Sequence, residues 1–298
     1  MLSILIPVYN YGVQLLVENL LIQLESIDCR WEILLSDDAS NEEWIKQNSK
    51  FVSKLNNSQI KLFQQEINVG NAANRNFLIA QASYDWLLFL DVDVIPVTFN
   101  FLSIYKKKMQ STNKEIIIGN IAYDENKPQP HLLRWKYGKE KEQVDFEEIK
   151  SKPILHARGA NFAIKKTLAE KMNFPILKEK YGFVDTRFFL QFTKNQICVV
   201  NNSVYHLGIE RNNIFLEKTK NAIVNALFLL NKNDKLAKQI TLISTYRKIR
   251  IFKRILAKIY LKNYLFFERN MMSKKPSVFI FQIYKLLYIS YLDVFENV

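Results

Sequence analysis

Two aspartates, Asp91 and Asp93, follow an apolar run at residues 86–90. A β-strand points side chains two positions apart to the same side, so the two carboxylates converge where the strand leaves the core. Two carboxylates at such a short distance repel each other unless a positive group lies between them. A divalent cation with oxygen ligands would meet this need and could also hold a diphosphate. The spacing therefore predicts a metal and diphosphate site, although a strand followed by an acidic turn has the same pattern.

The first hundred residues alternate short apolar runs with amphipathic segments. The predicted strands are 2–8, 31–36, 60–64 and 86–90, and the predicted helices are 13–27, 42–55 and 71–82. This alternation indicates an α/β fold with a mostly parallel central sheet and helices on both of its faces.

Polar residues follow each of these four predicted strands. They are Tyr9, Asn10, Asp37, Asp38, Asn68, Gly70, Asp91 and Asp93. Ligands of parallel sheets bind beyond the carboxyl ends of the strands, so this edge is the predicted site. Neither a Gly-x-Gly-x-x-Gly pattern nor a Walker-type loop follows the first strand. Acids and a metal ion, rather than a glycine-rich loop, would therefore hold a nucleotide.

The pattern after residue 93 is less regular. Residues 124–152 are polar and contain Pro128 and Pro130, so we expect an irregular lobe there. Further predicted elements are strands at 115–123, 154–164 and 197–206, helices at 99–110 and within 181–195, and a helical tail.

The net charge of +13 is concentrated near the C-terminus. Between Lys238 and Lys275 there are eleven basic residues and a single acid, Glu268. Apolar residues recur among them at helical spacing: Ile249, Phe252, Leu256 and Ile259. A basic helix with an apolar stripe suits an anionic membrane surface better than nucleic acid. The alternative is a solvated face on a helix that packs against the main domain.

The composition is that of a globular protein, with 48% hydrophobic and 24% charged residues. The two cysteines, Cys29 and Cys198, lack metal-type or redox-type spacing, which fits a reducing compartment. The chain begins like a strand rather than a signal peptide. No uncharged apolar run reaches the roughly eighteen residues of a spanning helix. We therefore expect a cytoplasmic protein that is peripheral on the inner face of the plasma membrane.

The ordered motifs of residues 2–210 resemble those of family-2 glycosyltransferases of the bacterial cell-surface type, inverting enzymes with the A-type nucleotide-sugar fold. The motifs are Ile6-Pro7-Val8-Tyr9-Asn10, Leu35-Ser36-Asp37-Asp38-Ala39-Ser40, Asn68-Val69-Gly70 with Asn74-Arg75-Asn76, Leu90-Asp91-Val92-Asp93, Gly159-Ala160-Asn161-Phe162, Tyr181-Gly182-Phe183-Val184-Asp185-Thr186 and Val204-Tyr205-His206-Leu207-Gly208. The resemblance implies a glycosyltransferase domain at 1–210 and a basic, mainly helical, membrane-associating region at 211–298.

The resemblance also implies a nucleotide pocket formed by Pro7, Tyr9, Asp38, Arg75 and Asp91. Pro7 and Tyr9 would flank the base, which we expect to be uracil, and Asp38 would accept the imide N–H. Asp91 would approach the ribose, and Arg75 would stabilise the pocket or balance its acids. The structural alternatives are a turn and helix cap for Asp38 and a surface position for Arg75.

Catalytic roles follow from the same resemblance. Asp93 would ligate Mn²⁺ or Mg²⁺ at the donor's two phosphates, with His206 as a second ligand. A cation there stabilises the charge that develops on the leaving nucleoside diphosphate. Asp185 would be the general base that accepts the proton of the acceptor hydroxyl. Helix capping is the structural alternative for Asp185.

Gly159 and Asn161 would contact the donor sugar or the acceptor. The chain departs from the family at Val184-Asp185, where a Glu-Asp pair is usual. The predicted reaction moves a sugar from a nucleotide-sugar, with UDP as the expected carrier, to a hydroxyl of a glycan or lipid-linked saccharide. A non-catalytic nucleotide-sugar-binding or membrane-binding relative is the alternative that Val184 suggests. A sugar nucleotidyltransferase is disfavoured because the loop at 9–12 has no basic residue for a triphosphate.

Overall fold

A computed structural model describes residues 1–126 and 132–296 of the chain. Within these residues the strands are β1 (Leu2–Val8), β2 (Trp31–Asp37), β3 (Ile60–Gln64), β4 (Trp86–Leu90), β5 (Val94–Pro96), β6 (Ile116–Ala122), β7 (Asn161–Lys165) and β8 (Ile197–His206). They form one sheet with the order β3-β2-β1-β4-β7-β6-β8-β5. Pro128 and Pro130 of the predicted irregular lobe lie outside the described residues.

Half of the sheet is parallel. Strands β3, β2, β1 and β4 run in the same direction, which confirms the four strands predicted for the first hundred residues. Residues of β1 alternate between two cores, with Ile4 and Ile6 packing on one face and Leu5 on the other. Burial on both faces explains why these strands are apolar throughout rather than alternating.

The other half is mixed. Strand β7 is antiparallel to both β4 and β6, β8 is parallel to β6, and β5 is antiparallel to β8. The short strand β5 was not predicted, and it places Val94 opposite His206. The predicted strand at 154–164 is wrong in its first half, because Pro153 begins a helical turn there and proline favours the first position of a helix.

Helices cover both faces of the sheet. They are α1 (Gln14–Leu24), α2 (Glu42–Leu55), α3 (Asn71–Gln81), α4 (Phe101–Ser111), α5 (Leu132–Tyr137), α6 (Phe146–Ser151), α7 (Pro153–His156), α8 (Lys166–Met172), α9 (Val184–Phe189), α10 (Asn212–Asn231), α11 (Thr241–Ile249), α12 (Lys253–Met271) and α13 (Val278–Phe295). Helices α1 and α4 pack on one face, and α3 and α9 on the other. The segment at 124–152, predicted to be irregular, instead contains α5, a π-helical turn at Gly138–Glu142, and α6.

The C-terminal helices α10 to α13 form a layer beside the sheet. Helix α13 is, within the described residues, the one helix long and apolar enough to cross a membrane. Its inward side chains, including Phe281 and Leu292, are buried against the neighbouring helices. Leu133 and Phe215 join Phe281 in one cluster, which attaches this layer to the main domain. This packing favours a core helix rather than a spanning one.

Candidate active site

The loops that follow β1 and β2 are hydrogen-bonded to each other at the carboxyl edge of the sheet. The Asp38 N–H donates to the Val8 carbonyl oxygen at 2.9 Å. The Asn10 N–H donates to Ser40 Oγ at 2.7 Å, and Asn10 Oδ1 accepts the Asn41 N–H at 2.8 Å. These bonds fix the polar residues that the sequence predicted for this edge.

The Asp38 carboxylate holds the loop between β3 and α3. Its two oxygens accept the N–H groups of Val69 at 2.6 Å and Gly70 at 2.9 Å. Gly70 has a φ of +86°, a conformation that glycine adopts readily. Burial raises the pKa of Asp38 above its ordinary value, although the two backbone N–H groups oppose this. Asp38 lies in a turn after β2, as its structural alternative predicted, but it does not cap the following helix α2.

Tyrosines border the carboxyl edge of the sheet. Pro7 is buried within β1, opposite Ser36, whereas Tyr9 lies just beyond the strand and is 54% exposed. Tyr11, which the sequence analysis missed, lies parallel to Trp44 with ring centroids 6.4 Å apart. Burial raises the pKa of Tyr11, and the charge of Asp93 raises it further. Its position in the same loop as Tyr9 is the signal that could have identified it.

Asp91 and Asp93 do not have the strand geometry that the sequence predicted for them. Strand β4 ends at Leu90, and the two aspartates lie on a turn before β5. The turn removes the two-residue alternation of a strand, so the carboxylates contact different partners. Asp91 pairs with Arg75 at 2.6 Å, whereas Asp93 lies beside His206. Arg75 is therefore the positive group next to Asp91.

Arg75, on the first turns of α3, is buried and binds two carboxylates. Its Nη2 donates to Asp91 Oδ1 at 2.6 Å, and its Nη1 donates to Asp185 Oδ1. The guanidinium also stacks over the Phe174 ring, 5.2 Å from its centroid. Burial alone would lower the pKa of Arg75, but the charges of Asp185 and Asp91 outweigh it and the net direction is upward. Burial raises the pKa of Asp91, and Arg75 offsets this only in part.

Asp185 lies in the first turn of α9, and Arg75 connects it to Asp91 at the end of β4. Its second oxygen accepts the Gly159 N–H at 3.1 Å. A side chain at position 159 would not fit, because a Cβ atom there would lie 2.5 Å from Asp185 Oδ2 and still closer to Arg75. Gly159 thus permits the Arg75–Asp185 contact and binds the carboxylate directly. The side chain of Asp185 is 33% exposed, so its carboxylate remains accessible to a ligand.

Asn161 is committed to the interior of the sheet. Its amide nitrogen donates to the carbonyl oxygens of Asn120 and Asn202 at 2.9 and 2.8 Å. Its Oδ1 accepts the Tyr105 hydroxyl at 2.7 Å. Asn161 is 1% exposed and binds carbonyl groups within β6 and β8, next to an irregularity in their pairing, rather than facing a ligand.

Asp93 and His206 are brought together by β5 and β8. Asp93 Oδ2 lies 3.7 Å from His206 Nε2, which is too long for a hydrogen bond. The Leu207 N–H donates to the Asp93 carbonyl oxygen at 2.8 Å. Gly208 is close enough that a Cβ atom there would lie 2.6 Å from Asp93 Cγ. The backbone at 207–208 therefore sets the position of the Asp93 carboxylate.

A buried ion pair supports the histidine, and the sequence analysis did not identify it. The Tyr123 ring stacks on His206 with centroids 5.6 Å apart, and its hydroxyl donates to Glu142. Arg134 pairs with the same carboxylate at 3.0 Å. Burial alone would raise the pKa of Glu142, but Arg134 and the Tyr123 hydroxyl lower it to about 2. Because Arg134 and Glu142 lie in the lobe at 124–152, no motif spacing connects them to His206.

The residues at Asp93 fit a divalent cation in part. Carboxylate oxygen and imidazole nitrogen suit Mn²⁺, and the 3.7 Å separation leaves space between them. His206 Nδ1 is buried and has no hydrogen-bond partner within residues 1–126 and 132–296. In the same described residues no group of three or more His, Cys, Asp or Glu side chains could hold a metal ion. Oxygens from a ligand would have to complete the coordination.

Cavity size does not identify this site. A cavity of about 360 Å³ lies at the opposite, amino-terminal edge of the sheet, where Leu2, Asp28, Trp86 and Lys106 contribute to its walls. None of the carboxylates described above borders it. The assignment of the candidate site therefore rests on the convergence of polar side chains at the carboxyl edge.

Comparison with known families identifies the class of protein. The sequence matches the model of glycosyl transferase family 2 over residues 3–172, which is more than half of the chain. The chain therefore belongs to that family. A search among curated proteins finds no matching relative.

Solved structures agree in fold. A mannosyltransferase from Pyrobaculum calidifontis in complex with GDP-Man and Mn²⁺ has a TM-score of 0.62 at 13% identity, with 100% of this chain and 88% of that chain covered. Glucosyl-3-phosphoglycerate synthase from Mycobacterium tuberculosis has a TM-score of 0.52 at 14% identity, covering 78% and 79%. S. aureus TarS 1-349 in complex with UDP has a TM-score of 0.50 at 17% identity, covering 98% and 91%. These likenesses show an A-type glycosyltransferase fold with a helical C-terminal segment. In other comparisons this chain covers 65% of TarS 1-349 and 39% of a longer TarS chain.

Proposed function

We propose that this chain is an inverting, metal-dependent glycosyltransferase. It moves a hexosyl or N-acetylhexosaminyl group from a nucleotide-sugar to a hydroxyl of a glycan or lipid-linked saccharide. The observation that carries the proposal is the contact of Arg75 with Asp91 and Asp185, beside the pair of Asp93 and His206. This arrangement puts a candidate base next to candidate metal ligands at one edge of the sheet.

Asp185 is the proposed general base. Its two oxygens each accept one hydrogen bond within the protein, and a carboxylate has lone pairs for more. An acceptor hydroxyl can therefore donate to it. During transfer the hydroxyl oxygen bonds to the anomeric carbon, the bond from that carbon to the diphosphate breaks with its electron pair, and Asp185 takes the proton. Arg75 orients the carboxylate through its hydrogen bond to Oδ1.

Asp93 and His206 are the proposed protein ligands of Mn²⁺ or Mg²⁺. Such a cation, when bound, neutralises negative charge on the leaving nucleoside diphosphate. The Mn²⁺ and GDP-Man named with the Pyrobaculum structure support this role. Tyr123 and Glu142 hold the imidazole, which would keep it directed toward Asp93.

The nucleotide is proposed to bind beside the ends of β1 and β2. Tyr9 and Tyr11 offer aromatic faces. Asp38 is buried and its two oxygens already accept the N–H groups of Val69 and Gly70, so it would need a remaining lone pair to accept an imide N–H. A UDP-linked donor is the expected one, and the UDP in the TarS complex supports it. Pro7 would act through the backbone of β1, because its side chain is buried.

The departure at Val184 does not favour a non-catalytic relative. Val184 is 6% exposed and packs with Phe188 and Phe189 in the core beneath α9. An apolar residue suits this position, and the neighbouring Asp185 remains at the site. A cytoplasmic location at the inner face of the plasma membrane, with a role in cell-envelope polysaccharide synthesis, is part of the proposal.

The test is a transfer assay with a panel of nucleotide-sugars and saccharide acceptors, in which the product is examined by NMR. An anomeric configuration opposite to that of the donor would support inversion. A product that retains the donor configuration would exclude direct displacement assisted by Asp185. The variant Asp185→Asn provides the matched sample, since it keeps the shape of the side chain and removes its basicity.

A further inference from the structure

Helix α12 presents two opposite apolar faces. Its inner face, with Ala257, Tyr260, Phe267 and Met271, is buried against the C-terminal helices. A second group of apolar residues points away from the protein. Ile255, Ile259 and Phe266 lie on α12, and Ile251 and Phe252 lie in the 3₁₀ turn at Arg250–Phe252 that leads into it. We call these five residues the outer face. Residues three or four positions apart lie on one side of a helix. One face thus stabilises the fold, and the other has no role in it.

The structure corrects the apolar stripe predicted from the sequence. Leu256 and Ile249 pack inward against the C-terminal clusters. The side chains that remain outside are strongly exposed, at 86% for Ile251 and 60% for both Ile255 and Phe266. Apolar residues grouped in this way on a protein surface indicate an interaction site.

Positive charge surrounds the outer face. Lys258, Lys262 and Arg269 recur at helical spacing along it, and Arg254, Lys274 and Lys275 lie nearby in the chain. Within the described residues none of these six has an acidic partner at ion-pair distance. Two other basic residues, Arg250 and Lys253, share the single carboxylate of Asp293 at 2.7 and 3.2 Å. The six cations beside the outer face therefore keep their charge available for an anionic partner.

We infer that the outer face of α12 docks on an anionic lipid surface. Apolar side chains would enter the boundary between headgroups and acyl chains, while the lysines and arginines contact anionic headgroups. A single partner would then contact both the apolar side chains and the basic side chains. Nucleic acid would leave Ile251, Ile255 and Phe266 in water.

A second copy of this chain does not fit the same surface. A symmetric dimer places equivalent patches against each other. Lys258, Lys262 and Arg269 of one copy would then face the same residues of the other, and such like charges repel. Charge complementarity therefore favours the anionic lipid surface.

Docking there would also limit where the main domain, and with it the candidate active site, can lie relative to the lipid surface. Lys136 of α5 donates to the Pro276 carbonyl oxygen at 2.9 Å, and Asn212 of α10 donates to that of Met271 at 3.0 Å. These bonds join the ends of α12 and α13 to elements next to the main domain. The inference rests on the proposed function only in naming a membrane-borne acceptor as the reason for docking.

The experiment is co-sedimentation of the full chain with vesicles, without nucleotide. Vesicles of phosphatidylcholine mixed with phosphatidylglycerol should bind the chain, and pure phosphatidylcholine should bind it more weakly. Salt should reduce binding, because exposed charges are screened. Binding to both kinds of vesicle with equal strength, or to neither, would overturn the inference.

Two sets of variants locate the surface. The triple change Ile251→Ser, Ile255→Ser and Phe266→Ser should weaken vesicle binding by about tenfold or more, since each apolar side chain that leaves the lipid loses burial. The matched control carries Ile22→Ser, Ile176→Ser and Phe99→Ser, which remove equally exposed residues elsewhere. It should bind like the original chain.

The charge variant Lys258→Glu with Lys262→Glu should also weaken binding, whereas Lys50→Glu with Lys54→Glu on α2 should have a smaller effect. Circular dichroism melting verifies that each variant folds.

Equal vesicle binding by the triple variant and its control would place the lipid contact elsewhere. Loss of DNA binding or of self-association, in place of vesicle binding, would assign the outer face to that partner and overturn the inference.

Donor binding is measured separately by calorimetry without vesicles. It should be unchanged in every variant of the outer face. If the chain binds vesicles but no nucleotide-sugar, the proposed function fails and the lipid inference stands. If it binds donor but not vesicles, the reverse holds.

Discussion

Arg75 donates a hydrogen bond to Asp185, a residue 110 positions later in the chain, and the same guanidinium binds Asp91 at 2.6 Å. One buried cation thus connects the end of β4 with the start of α9. The proposed base and the proposed ribose-binding acid are held by a single side chain. This relationship makes the geometry of the site dependent on Arg75.

Arg75→Met should destabilise the protein by roughly 2–3 kcal/mol, below the value of about 3–5 typical of fully buried pairs because both carboxylates are partly exposed. The cause is that Asp91 and Asp185 would face each other without a cation. Adding Asp185→Asn to Arg75→Met should recover part of the loss, with a coupling of about 0.5–3 kcal/mol. Urea unfolding of the two single variants and the double variant measures this. Strictly additive losses would show that the pair is not coupled.

Asp185→Asn should reduce transfer by roughly 10²–10⁴-fold, the usual contribution of a general base. Donor binding should change little, because the amide keeps the shape of the side chain. Steady-state transfer rates and calorimetry with the same preparation test both parts. Asp85→Asn, at an exposed carboxylate outside the site, is the control. Wild-type rates in Asp185→Asn would show that another group accepts the proton.

Glu142 should make stability depend on pH in acid. Its pKa is lowered from 4.5 to about 2 in the folded chain, chiefly because Arg134 and Tyr123 outweigh the effect of burial. A carboxylate whose pKa is lowered by folding stabilises the fold at pH values above its pKa in the unfolded chain. This contribution is lost as pH falls from about 4.5 to about 2. The stability difference between the original chain and Glu142→Gln should therefore shrink by about 2–3 kcal/mol over that interval. Denaturant titrations at several pH values measure it, and a constant difference would contradict the assignment.

Gly208→Ala should weaken metal-dependent donor binding by roughly 10–100-fold, the range seen when a group that positions a metal ligand is changed. The added methyl group would displace the Asp93 carboxylate, whose Cγ would lie 2.6 Å from the new Cβ. Gly12→Ala is the control, since its nearest neighbour is Trp44 at 3.4 Å. Nucleotide titrations with Mn²⁺ distinguish the two variants. If both variants bind the nucleotide equally well in Mn²⁺, displacement of the Asp93 carboxylate has no effect, and Asp93 is not a ligand of the metal ion.

The strands β1 to β4 could be predicted closely because local patterns determine them. Continuous apolar runs and intervening amphipathic helices define a parallel sheet, and polar residues mark its carboxyl edge. Strand β8 was predicted with its observed bounds for the same reason. The convergence of Asp38, Asp91 and Asp93 at one edge follows directly from this topology.

Tertiary contacts decided what the sequence could not show. The contact of Asp91 with Arg75 could not be predicted, because a turn ends the strand alternation and the two residues come from different parts of the chain. Asn161 belongs to a recognised motif, yet its amide donates to carbonyl groups within β6 and β8. Glu142 acts on His206 through Tyr123, and it lies in a helical lobe whose sequence has no periodic pattern that predicts this contact.

The central claim is that Asp93 and a divalent cation together bind the diphosphate of a nucleotide-sugar. Calorimetry with UDP-sugars in Mn²⁺ and in EDTA tests it, with Asp93→Asn and the exposed Asp28→Asn as matched variants. The account predicts binding in Mn²⁺ that is lost in EDTA and in Asp93→Asn but retained in Asp28→Asn. Tight binding in EDTA, or unchanged binding by Asp93→Asn, would contradict it.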